Sequence, residues 1–152
     1  MRSLLDILHN QILLTGFAAW VVSQVAKVII YMIINKRWET ERLFGDGGMP
    51  SSHSATVTAV AVSTGLIVGW DSPLFAVAAI MALVVMHDAM GVRQETGKQA
   101  RVINDMLELF ESMAIGDLTP EETLKEFVGH TRRQVLVGAL VGAAVAVFAN
   151  LR

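Results

Sequence analysis

Cysteine is absent from this chain of 152 residues, so neither a disulfide nor a thiolate metal site can form, and the redox compartment is left open. Charge of one sign is also scarce. Twelve Lys and Arg stand against 14 Asp and Glu, a net charge of −2, and no basic field points to nucleic acid. No tract is low in complexity and nothing repeats at a period of about 20–50 residues, which excludes solenoid arrays. The opening MRSLLDILHNQ does not have the layout of a signal peptide, because Asp6 and His9 interrupt the apolar run and no small-residue cleavage site follows. Two motifs are missing as well. The segment ETGKQA around Lys98 has neither the upstream glycine nor the following Ser/Thr of a P-loop. There is no His-Glu-x-x-His, so no metal site and no cofactor are expected.

What the chain does have is apolar sequence. Hydrophobic residues make up 53% and the mean hydropathy is +0.52, above the range of ordinary soluble domains. Twelve glycines and eight methionines suit close helix packing. Four stretches approach the length needed to cross about 30 Å of hydrocarbon: Gln11 to Ile34, Ser54 to Trp70, Pro73 to Met90, and Gln134 to Leu151. The second and third are short and are expected to begin inside the protein. WDSP at Trp70 to Pro73 reads as a tight turn with Trp70 in an interfacial belt. Ala55, Ala59 and Ser63 in the second stretch, and Gly138, Gly142 and Ala146 in the fourth, recur at the spacing that lets membrane helices approach closely. The expectation is one all-α membrane-embedded domain over residues 1–152. It is a polytopic bundle of about four transmembrane helices plus a short amphipathic helical region.

Polar loops separate the spans at 35–53 and 91–133. In the second, KQARVINDMLELFESM places Val102, Met106, Leu109 and Met113 on one face, as an interfacial or site-covering helix would. LTPEETLKEF offers Thr119 as N-cap, Pro120 at the first helical position and Glu122 to complete the box. Both loops hold most of the Lys and Arg and lie on the same side. The positive-inside rule puts that side in the cytoplasm, with the termini outside. Localisation in the cell membrane, with a cytoplasmic polar site, follows as an expectation.

The two loops bring chemistry to one membrane face. GDGGMPSSHSATVTAV, Gly45 to Val60, turns from glycines into Pro50, Ser51, Ser52 and His53 and then into an apolar helix. The backbone of Gly47 and Gly48 and the first N–H groups of that helix form an anion cradle. Ser51 and Ser52 can cap the helix and donate to phosphate oxygens. Arg93 and Lys98 can neutralise phosphoryl oxygens, and His53 and His130 supply the nucleophile and the general acid of a two-step transfer. Asp88 closes the third span. Lys27 lies inside an apolar segment, where a cation is costly unless it snorkels, is paired or faces a polar cavity, and it shares a helix face with Gln24 and Tyr31. His9 and His87 are read as structural.

GGMPSSHSA, DAMGVRQETGKQA and GHTRRQVLVGALVG together resemble the divergent branch of the type-2 phosphatidic acid phosphatase family, within the acid phosphatase and vanadium haloperoxidase-like superfamily. The likeness spans nearly the whole chain. It implies a phosphate-binding Ser51, a general acid His53 and a nucleophilic His130. Several positions depart from the parent pattern. Ser52 stands where glycine is usual, Gln134 where an aspartate follows the nucleophile, and Leu124 where an arginine precedes it. The parent's first-block lysine and arginine lie seven residues apart, whereas Lys27 and Arg42 are fifteen apart. Asp88 and Arg93 are the residues that can replace the missing partners.

The sequence therefore points to a lipid phosphate phosphohydrolase that uses a histidine and no metal, acting on a phosphatidate-like or polyprenyl phosphate or pyrophosphate. His53, His130 and Asp88 are its catalytic candidates. Ser51, Ser52, Gly47, Gly48, Arg93, Lys98 and Lys27 are its phosphate-binding ones. Its partners are the lipid phosphate and the surrounding membrane lipids, with no nucleic acid, and the glycine-rich spans allow a homodimer. The rival reading is an inactive membrane protein that binds, transports or scaffolds lipid phosphates.

Overall fold

The structure is a computed structural model that describes residues 6–36, 48–113, 124 and 129–151, without the side chains of residues 93 and 111. Among the described residues it is entirely helical. Helix α1 is Gln11–Asn35, α2 is Ser52–Val68, α3 is Pro73–Met90, α4 is Val92–Ser112 and α5 is Arg132–Asn150. Among the described residues, three helical stretches are long and apolar enough to cross a membrane: Gln11–Asn35, Pro73–Phe110 and Arg132–Asn150. The second expected span, Ser54 to Trp70, forms as Ser52–Val68, a shorter apolar helix of 17 residues.

Four of these five helices start where a side chain satisfies one of the first free N–H groups. Asn10, Ser51, Ser72 and Thr131 are the N-caps of α1, α2, α3 and α5, and each side chain accepts a bond from the N–H three residues on. Pro73 occupies the first turn of α3, where its missing N–H does no harm. Gly69, at φ 113°, ends α2, and the turn closes with Trp70 laid over Gly65 and edge-on to Phe75 at 5.0 Å. The short connection makes α2 and α3 antiparallel, as WDSP implied.

The centre of the bundle is a parallel pair, α2 and α5, packed in one register. Ser51 faces Gly138, Ala55 faces Gly142, Ala59 packs with Ala146, and Ser63 accepts from Asn150 at 3.1 Å, with the same separation of 87 residues at each step. A Cβ on Gly138 would overlap the Ser51 carbonyl, and one on Gly142 the Ala55 carbonyl. Helices in lipid gain little from burying apolar surface against each other, so close contact between small residues must hold them. The core therefore consists of Ala19, Ala59 and Ala146, all fully buried, rather than of large aliphatics. Helix α1 joins through Gly16 against Val60, and Gln11 Nε2 donates to the Ala149 carbonyl at 3.2 Å. Helix α3 buries only Ala82 and Ala89, and turns Leu74, Val77, Ile80, Met81, Leu83 and Val84 outward.

Candidate functional site

Because α2 and α5 are parallel and in register, their N-termini stand side by side at one end of the bundle. His53 is the second residue of α2, and His130 immediately precedes the N-cap of α5. The rings meet there, with centroids 5.9 Å apart and planes inclined at 59°. His130 is buried, His53 is half-buried, and the Nδ1 atoms of both are shielded from solvent. Backbone bonds hold the two segments. Ser51 N donates to the Gln134 carbonyl at 3.1 Å, and His130 N donates to the Ala89 carbonyl at 2.9 Å. The second bond ties the nucleophile candidate to the end of α3, next to Asp88, which is half-buried. Two aligned helix N-termini also sum their positive dipole ends at this point, a setting that favours an anion.

Ser51 is fully buried and caps α2. Its Oγ accepts from Ser54 N at 3.4 Å and from Ser54 Oγ at 3.0 Å. Ser52 is buried in the first turn, and its carbonyl accepts from Thr56 Oγ1 at 2.8 Å, so Ser51 alone does the capping. Gln134 does not replace the parent family's aspartate. Its Oε1 accepts from Thr131 N at 2.8 Å and Thr131 Oγ1 accepts from Gln134 N, which makes a capping box. The box is written in TRRQ at the start of an apolar run.

Lys27 is 5% exposed, so it does not snorkel. It lines a cavity of about 260 Å³ with Tyr31, Gly48, Met49 and Gln134. Gly48, at φ 83°, lies on the aliphatic stem of Lys27, close enough that a Cβ would sit 3.3 Å from Cγ. Gln24, Lys27 and Tyr31 do share the inward face, with Gln24 buried and Tyr31 half-buried. The single constellation expected from sequence is thus resolved into neighbouring parts. The histidine pair stands at the α5 N-terminus, and Gln134 of the first turn of α5 lines the lysine cavity.

Lys98 is exposed on α4 and paired with Glu95 at 2.7 Å. His87 is exposed beside Asp88 on a groove between α3 and α5, and His9 is exposed near the start of α1. The backbone of Arg93 is in the first turn of α4. Its side chain, together with Gly47, Arg42 and the Thr119–Glu122 box, lies outside the described residues. No cluster of three metal-ligating side chains occurs among the described residues.

Comparison with known proteins adds three findings. A family model described as the Divergent PAP2 family matches residues 8–145. A membrane protein of Bacillus subtilis (strain 168), "Uncharacterized membrane protein YuiD", is 39% identical over 146 residues, which cover 91% of this chain and 92% of that protein. No solved structure matches.

Proposed function

This chain belongs to the Divergent PAP2 family of membrane proteins, and from that premise we propose that it hydrolyses a lipid phosphate at the His53–His130 pair. The observation that carries the reading is the convergence of two imidazoles on two parallel helix N-termini. A phosphate monoester bound there has its charge met by helix dipoles and backbone N–H groups. His130 attacks phosphorus while the P–O bond to the lipid breaks, and His53 gives its proton to the departing oxygen. His53 then takes a proton from water, the resulting hydroxide attacks the phosphohistidine, and inorganic phosphate leaves with His130 restored. With Gln134 engaged in the cap, we assign the orienting role to Asp88, whose neighbour Ala89 accepts from His130 N. Lys27 and Gly48 bind the phosphate or a second phosphate from their cavity, with Arg93 supporting it, Lys98 at the periphery, and the buried Ser51 acting through the cap of α2.

The site end faces the cytoplasm of the cell membrane on this reading. Lys36, Lys98, Arg101, Arg132 and Arg133 are exposed there, whereas the turn at the opposite end carries Asp71 and no cation. The second reading, lipid phosphate binding without turnover, is favoured by one observation: the position of the parent's orienting aspartate serves a helix cap. One assay separates them. Purified protein with EDTA present is given phosphatidic acid, phosphatidylglycerol phosphate and polyprenyl mono- and pyrophosphates. Phosphate release that is lost in both His53→Ala and His130→Ala supports hydrolysis. Binding of these lipids by a folded protein that releases no phosphate supports the second reading.

A further inference from the structure

Helix α4 has three faces, and the protein itself covers one. Gly97 and Ala100 are buried. Asn104, on the same face, donates from Nδ2 to the Leu124 carbonyl at 2.9 Å and accepts at Oδ1 from Leu124 N at 3.1 Å. That face is held against its own chain. A second face carries Lys98, Arg101, Asp105 and Glu108, all exposed. The third is apolar and open: Val102, Ile103, Met106, Leu109 and Met113 are 45–58% exposed.

Position shows what covers that stripe. Helix α4 begins one residue beyond Gly91, where α3 ends. Its first residue, Val92, lies about three turns before Ile103 and therefore on the same side of the helix. Val92 also lines one apolar groove with Leu83, Val84, Met86 and Met90. Leu83 and Val84 belong to the outward face that α3, within a membrane-spanning stretch, presents to acyl chains. The open stripe of α4 is thus a continuation of the lipid-facing surface.

We infer that α4 lies in the membrane–water boundary at the site end of the bundle, with its apolar stripe among acyl chains and its charged face toward water. The helix holds three basic and four acidic residues, so it has no net attraction for anionic headgroups. Apolar burial alone holds it, and neutral lipid is sufficient. The inference does not depend on catalysis at the histidine pair.

The absence of native cysteine allows a direct test. Met106→Cys, Leu109→Cys, Asp105→Cys and Glu108→Cys are each labelled with an environment-sensitive fluorophore in the full chain, reconstituted into phosphatidylcholine vesicles. A quencher on the acyl chains should dim positions 106 and 109 several-fold more than 105 and 108, and aqueous iodide should give the reverse order. Two results would overturn the inference. Iodide alone quenching all four would place the stripe in water, and shielding of 106 and 109 from both quenchers would show protein covering it, a second copy included. A pattern that appears only when anionic lipid is added would overturn the claim that neutral lipid suffices.

Discussion

At the scale of single residues, His53 and His130 differ in what surrounds them, and the difference suits different tasks. His130 is buried and its backbone is pinned to Ala89, as a nucleophile that must approach phosphorus along one line requires. His53 is half-buried on the first turn of α2, where a proton donor can exchange with water between steps. His53→Ala should therefore lower turnover by about 10²–10⁴-fold while lipid binding persists, measured as kcat against Kd in the same preparation. Lys27, buried against its cavity, is a binding residue on the proposed reading. Lys27→Met should weaken lipid phosphate binding by about tenfold or more, the scale of one charge-assisted hydrogen bond, and Lys27→Arg should lose less. The pairing of His53 with His130 was legible from topology and family likeness together, since 76 residues of chain separate two side chains that no local pattern connects. The inward turn of Lys27 could be read from its spacing to Gln24 and Tyr31. Gln134, at the position of the parent pattern's aspartate, also completes a Thr-x-x-Gln capping box, and sequence alone does not separate the two demands on that position.

At the scale of elements, the site depends on the register of α2 against α5. Small residues every fourth position on both helices announced close packing in the sequence, and the structure uses all six of them. The sequence did not reveal which helix each row would face, because small-residue rows carry no partner code. Gly142→Leu should destabilise the protein by about 3 kcal/mol or more, since the new side chain has to displace the Ala55 backbone, whereas Leu140→Ala on the outward face should change little. The comparison is made by thermal unfolding in detergent. Thr131→Ala removes the capping box and should cost about 1 kcal/mol. It should also loosen His130, so activity is expected to fall further than stability alone explains. The stretch from Pro73 shows a different limit. Its apolar run ends at Met90 as read, but helical structure resumes after one residue, and nothing in the polar sequence that follows marked so brief an interruption.

At the scale of the whole molecule, the fold puts all of its recognisable chemistry at one end. Residues from the later half of α1 and from the adjoining ends of α2, α3 and α5 gather there, while Gln11, Ala149, Asn150 and Ser63 close the other end. This polarity was readable from the order of the stretches, because the short WDSP turn pairs two apolar helices and returns the polar segments on either side of them to one end. It predicts an orientation. In intact cells a cysteine introduced for Asp71 should react with an impermeant maleimide added outside, and one introduced for Arg132 should react only after permeabilisation. The central claim is that this end transfers a phosphoryl group through His130, and the most direct measurement traps that group. Protein is mixed with a lipid phosphate labelled on phosphorus, quenched in alkali within milliseconds and separated from lipid. The account predicts an alkali-stable, acid-labile label on His130 that accumulates in the His53→Ala variant and is absent from His130→Ala. Phosphate release that leaves no label on His130 at any time, or a label that survives His130→Ala, would contradict it.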